Sequence, residues 1–333
     1  MRWAVVFLCL ILCFASTPSA AAGRALIILK SADLTEMQAT IASLEALGAH
    51  VGHVIPPRTL IADVPTQVES QVAALPDVAE LHRGAVPAAQ GDAAVGVAVW
   101  NSLLAPQQSV VNGGNAKPLT GDAFEAPMEA RVSVYGSNAP GTYQTSSFMV
   151  GKVAVGVVLP ESSGGTEDWT PERQSDVLSR IVSGLDWWVQ KGGSAAHLTF
   201  YYEPRFGVPT QYEPIAMQGA ADEETWVSDI FRGMGYTSGF TRFDRARAYD
   251  AYLRRTYHTD WAFALIVVDS LNDADGQFAD GHFAWAYVMG PYAVMTYDND
   301  GYSISRMSVV ATHETGHVFG AAARSSSACL MIV

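Results

Sequence analysis

His313, Glu314 and His317 are the residues whose types and spacing could carry chemistry in this chain. They stand in 312-THETGHVFG-320, near the end of 333 residues. On a helix, positions four apart share a face, so the two imidazoles can hold one cation. Zinc takes neutral imidazole nitrogens readily. Glu314, beside the first histidine, is placed to take a proton from a metal-activated water, the nucleophile that would hydrolyse a peptide bond. The expected site is thus one catalytic Zn2+ held by His313 and His317, with Glu314 as general base.

Gly320 follows His317 by three positions. That spacing matches H-E-x-x-H-x-x-G-x-x-(H or D), in which the glycine lets the chain turn back toward the metal. Upstream, 266-IVVDSLNDADGQFADGHFAWAYVMGPYAVMTYDNDGY-302 resembles the corresponding part of bacterial secreted zinc metallopeptidases of the metzincin-like (zincin) type. The resemblance spans roughly residues 130–322, and HExxHxxG is its specific element. It implies a zinc-dependent endopeptidase whose twisted sheet sits over two helices, the second bearing the metal motif. It also implies an edge strand at Phe283, Ala284, Trp285 and Ala286 that binds an extended peptide by strand addition. The plainer reading of that segment is a paired hairpin strand.

The chain departs from the family pattern at the third-ligand position. Ala323 stands there, and alanine cannot bind a metal. Cys329 is the one later thiolate candidate, no glutamate follows Glu314, and Met331 in Cys329-Leu330-Met331 resembles an early Met-turn. Two accounts remain open: an internal loss with truncation after the helix, or a two-histidine site. Nor is any outer partner that would orient the rings legible. The alternative function is therefore a truncated or degenerate, non-catalytic protease-like protein acting as a binding or inhibitor module.

Other groups weigh less. Asp273, Asp275 and Asp280 with Gly276 and Gly281 hint at a calcium loop. Leu271 stands where an EF-hand needs its first aspartate, which favours a plain turn. Asp298-Asn299-Asp300-Gly301 also reads as a turn. His258 and His282 read as ordinary polar residues.

The elements that must position the motif follow from patterning. Lys152–Leu159 and Trp261–Val268 are near-continuous apolar runs, expected of strands covered on both faces. Thr170-Pro171 opens a helix with Val177, Ile181, Leu185 and Trp188 on its buried stripe. His197–Tyr202, Phe283–Val288 and Tyr292–Tyr297 read as strands. Glu223–Phe231 and Thr241–Tyr257 read as helices, the latter with a capping box from Thr241 to Asp244. The last helix spans about Ser305–Gly320. Residues 124–333 thus form an α/β (α+β) zincin-like domain, incomplete at its C-terminus.

Residues 23–86 read as a separate unit of order β-α-β-β-α-β, ferredoxin-like. Its stretches 54-VIPPRTLIADVP-65 and 75-LPDVAELHRG-84 resemble the propeptide/inhibitor domain of subtilisin-type proteases. Residues 87–123, rich in Ala, Gly, Pro and Asn, read as a linker, with Val95–Leu104 a short helix or strand inside it.

A length of 333 residues suits two domains, and 49% hydrophobic against 16% charged residues excludes a disordered chain. Residues 1–22 read as a signal peptide: Arg2, an apolar run from Trp3 to Phe14, and small residues before cleavage after Ala22. That run is too short to span a bilayer, so secretion or periplasmic export is expected, without stable membrane insertion. Cys9 and Cys13 leave with the signal, and Cys329 alone cannot make an internal disulfide. Loss of Arg2 takes the net charge from −13 to −14. That excess argues against nucleic acid and leaves a peptide or protein substrate as the expected partner.

Overall fold

The computed structural model describes residues 22–105, 122–125, 141, 144–165, 167–298 and 303–321. The N-terminal part runs β1 (Ala22–Leu29), α1 (Leu34–Ala46), β2 (His50–Ile55), β3 (Thr59–Pro65), α2 (Glu69–Ala73) and β4 (Val78–His82). Next come α3 (Ala94–Leu104), β5 (Asp122–Glu125), β6 (Lys152–Ser162), α4 (Pro171–Ala196) and β7 (Thr199–Thr210). The chain continues with α5 (Glu223–Gly233), α6 (Arg242–Tyr257), β8 (Trp261–Val268), β9 (Ala284–Val288), β10 (Tyr292–Thr296) and α7 (Met307–Val318). The fold is mixed α/β.

All ten described strands join one mixed sheet, in the order β4-β1-β3-β2-β7-β6-β8-β10-β9-β5. The middle strands β2, β7, β6, β8 and β10 run parallel. β9 turns antiparallel to β10, and β5 runs parallel to β9. Helices cover both faces. α1, α5 and α6 pack on one, α3, α4 and α7 on the other. β8 shows why its sequence is a continuous apolar run. Ala262, Ala264, Ile266 and Val268 face α5 and α6, while Trp261, Phe263, Leu265 and Val267 face the other side, and every residue of the strand is buried.

Local signals set the helix starts. Thr170 accepts a hydrogen bond from the Arg173 amide at the head of α4, and the Thr241–Asp244 capping box opens α6. Val95–Leu104 falls within the helix α3. β7 runs beyond Tyr202 to Thr210 because it pairs with β6 along its length, with one bulge at Leu159/Pro160.

The N-terminal strands form their own antiparallel set, yet they share the sheet. β2 pairs with β7 at His53–Phe200 and Val54–Tyr201. Thr199 Oγ1 donates to the Val51 carbonyl at 2.7 Å. Across the junction, His53 joins Tyr202 Oη through Nδ1 and Asp186 through Nε2, each at 3.0 Å. Asp186 also accepts from Arg24 of β1 at 2.8 Å and from Gln190 at 2.5 Å. Burial pushes the Asp186 carboxyl up, but His53 and Arg24 outweigh it and hold the carboxyl below its ordinary value. Residues 1–21 of the expected signal lie outside the described residues. No described helix is long and apolar enough to cross a membrane.

Candidate metal centre

α7 is buried along its length, with every residue from Val310 to Val318 inside the protein. A helix so enclosed needs close backbone approach, and Gly184 of α4 provides it. A Cβ at that position would lie 2.3 Å from the Ser308 carbonyl oxygen. At the same crossing Thr312 Oγ1 donates to the Gly184 carbonyl at 2.8 Å, and Trp188 Nε1 donates to the Thr312 carbonyl at 3.1 Å. α7 is thereby fixed in both depth and rotation.

That rotation brings the two histidines together. His313 Nε2 and His317 Nε2 are 3.0 Å apart, their rings perpendicular. His317 Nδ1 lies 2.6 Å from the Ala321 carbonyl oxygen. A carbonyl only accepts, so Nδ1 carries the proton, and the ring's other nitrogen, Nε2, faces His313. The expectation that no outer partner orients the rings is therefore corrected. A backbone carbonyl orients His317, and no side-chain pattern could have announced it.

Gly320 makes that contact possible. Its φ of +93° is left-handed, and its amide donates to the His317 carbonyl while the Ala321 amide donates to Gly316. The chain thus folds back over the helix end and returns Ala321 to the His317 ring. Burial, then the neighbouring His317, pushes the His313 imidazole down to about 4, so it is neutral at physiological pH. Neutral imidazole is the form a metal binds. Glu314 is fully buried between the two histidines in sequence.

The chain matches no protein-family model and no curated protein. What the centre can do follows from its own geometry. Two imidazole nitrogens from one helix face lie 3.0 Å apart, and buried Glu314 adjoins His313 in sequence. Among the described residues, no group of three His, Cys, Asp or Glu side chains could hold a metal ion. Ala323, Cys329 and Met331 lie outside the described residues.

β9 corrects the expected edge strand. It hydrogen-bonds β10 on one side and β5 on the other, so Ala284, Trp285 and Ala286 sit inside the sheet, and Phe283 immediately precedes the strand. β5 is the terminal strand instead. Beyond the end of β9, the Met289 amide donates to the His317 carbonyl at 3.4 Å, tying that end to the metal motif.

The aspartate loop is a set of turns. Asp273 Oδ1 accepts from the Asp275 and Gly276 amides, Asp275 from Gln277, and Asp280 from His282 and Ala220. His258 caps α6 in a left-handed conformation, and His282 Nδ1 lies 2.9 Å from Asp280. Asn299, Asp300 and Gly301 lie outside the described residues.

A second buried polar cluster was not legible in the sequence. Glu223, at the head of α5, is fully buried under β9 and β10. It accepts from Trp285 Nε1 at 2.7 Å, from Tyr292 Oη at 3.1 Å and from Tyr287 Oη, and Arg242 lies 3.2 Å away. Burial pushes its carboxyl up, against the pull of Arg242 and these donors.

Proposed function

We propose that this chain is an exported zinc-dependent endopeptidase of the metzincin-like, zincin type. The observation that carries the reading is the imidazole pair, with His317 Nδ1 held by the Ala321 carbonyl and its Nε2 set 3.0 Å from His313 Nε2. Two zinc–nitrogen bonds of about 2.0–2.1 Å at a tetrahedral angle span about 3.3 Å, so the rings need open by only a few tenths of an ångström.

His313 and His317 would hold the ion. Zinc, when bound, polarises the scissile carbonyl and acidifies water near neutral pH. Glu314 takes the proton of the attacking water and returns it to the departing amine. Its burial on α7 keeps bulk water from competing for that proton. The sheet with α4 and α7 packed on one face supports the zincin reading. The β-α-β-β-α-β order of β1 to β4 supports a ferredoxin-like, propeptide- or inhibitor-like N-terminal unit. Residues 1–22 support export.

The test is Glu314→Gln in the zinc-loaded full chain, read with an internally quenched peptide. Turnover falls about 10²–10⁴-fold while zinc stays bound. Undiminished proteolysis would sink the reading. One observation favours a second reading, a degenerate protein without catalysis: Ala323 occupies the third-ligand position. Zinc that is fully lost on dialysis would favour that second reading over the first.

A further inference from the structure

We propose that the cleft between α1 and the turn before β4 docks one arginine side chain of a partner polypeptide. The inference stands on the N-terminal unit and does not draw on the peptidase reading.

The cleft encloses about 360 Å³. That lies within the range of about 300–1,000 Å³ common to ligand pockets. One wall is the face of α1 that carries Glu36, Ala39, Thr40 and Ser43, residues three and four apart on one side of the helix. The other wall is the turn Leu75, Pro76 and Asp77. The residues after β1 fix that turn. The Lys30 amide donates to the Asp77 carbonyl at 2.8 Å, and the Ser31 amide donates to Asp77 Oδ1 at 2.9 Å.

The polar side chains of both walls are acceptors. Thr40 Oγ1 donates to the Glu36 carbonyl at 3.0 Å and Ser43 Oγ to the Ala39 carbonyl at 2.9 Å. Each hydroxyl has thus used its proton and keeps acceptor capacity alone. Asp77 Oδ2 is shielded from solvent and takes no hydrogen bond, so it is a desolvated acceptor without a donor. Glu36 adds an exposed carboxylate. A lining that only accepts selects a ligand that only donates. Arginine carries five donors in a planar fork, no acceptor and a permanent charge, and its fork can serve acceptors on two walls at once.

The charge of the cleft sits at one end. Asp77 is tied to Ser31 beside the start of α1, and Glu36 lies in the first turn of that helix. Ser43 lies seven residues on, about 10 Å along the axis at about 1.5 Å per residue. A cationic head between Glu36 and Asp77 therefore lays its methylene stem against Ala39 and Leu75. The positive end of α1 is already engaged, because Asp33 accepts from the Thr35 and Glu36 amides at 2.8 and 3.0 Å. The neighbouring cation, Lys30, is held by the Pro76 carbonyl at 2.6 Å. A free diamine would carry a second ammonium to the Ser43 end, where among the described residues no carboxylate lines the cleft. The single-headed arginine is the better fit.

The test is an amide-shift titration of the full chain with three probes. They are arginine blocked at both ends, citrulline blocked in the same way as its neutral isostere, and putrescine. Blocked arginine should move the amides of Glu36, Ala39, Ser43 and Asp77 saturably. Blocked citrulline should leave them in place, and putrescine should bind more weakly than blocked arginine. Glu36→Gln should weaken arginine binding at least about threefold, and Asp77→Asn at least about tenfold, since the Asp77 oxygen is the desolvated one. Glu36 is exposed, so Glu36→Gln carries the test even where Asp77→Asn fails to fold. No saturable shift with blocked arginine, equal binding of blocked citrulline, tighter binding of putrescine, or unchanged affinity in Glu36→Gln would overturn the proposal. None of these readouts requires zinc or turnover, so failure here is separable from the Glu314→Gln result.

Discussion

Glu223 and the His313–His317 pair lie on opposite faces of the same sheet region, and they handle buried polarity in opposite ways. Glu223 is surrounded by complementary groups: two tyrosine hydroxyls, an indole N–H and a guanidinium. Its chemistry is used up in joining α5 and α6 to β9 and β10. The histidines instead meet ring to ring, Nε2 to Nε2 at 3.0 Å, with buried Glu314 next to His313 in sequence. A cluster of opposites stabilises a fold. Two imidazoles four residues apart on one helix face are an arrangement that one cation can bridge.

Substitutions should separate the two faces. Arg242→Ala leaves Glu223 without its counter-charge and should cost about 3–5 kcal/mol of stability, read by urea denaturation. Glu314→Gln should change stability by about 1 kcal/mol or less while removing turnover. If Arg242→Ala proves neutral, or Glu314→Gln unfolds the chain, the contrast between the clusters is wrong.

Two glycines sharpen the contrast on the α7 side. Gly184→Val forces a side chain against the Ser308 carbonyl and should cost about 1–3 kcal/mol, seen as a lowered Tm. Gly320→Ala strains a left-handed residue and should cost about 1 kcal/mol. Because Gly320 returns Ala321 to His317, its substitution should weaken zinc binding by more than it lowers stability. Equal effects on both would remove Gly320 from the account of the site.

Much of the framework was legible in sequence, for local reasons. β8 declared itself by an unbroken apolar run, α6 by its capping box, and α7 by the spacing of its histidines. What escaped depends on partners distant in the chain. β5 is four residues without a pattern, and only β9 makes it a strand. β7 continues through Pro204 and Pro209, residues that argue against a strand until β6 is placed beside it. Glu223 carried no signal in sequence beyond opening the helix Glu223–Phe231, because its tryptophan and tyrosine donors are more than sixty positions away. At the metal motif, residue types gave His313, Glu314 and His317. The Ala321 carbonyl that orients His317 has no side-chain signature at all.

The smallest expected effect concerns pH and the junction of the two sheet regions. Asp186 has its carboxyl lowered from 3.8 in the folded chain. Its contribution is thus fully present above the unfolded value and is lost as pH falls through the folded one. The stability difference between wild type and Asp186→Asn should be constant above about pH 5 and shrink as the solution is acidified below pH 4. A difference that grows on acidification would contradict the assigned direction.

The most direct measurement of the central claim is a competitive zinc titration of three full-length proteins: wild type, His317→Ala and Glu314→Gln. The account predicts one equivalent of zinc on the wild type and on Glu314→Gln, and loss of that equivalent in His317→Ala. Zinc bound equally by His317→Ala, or by none of the three, would contradict it.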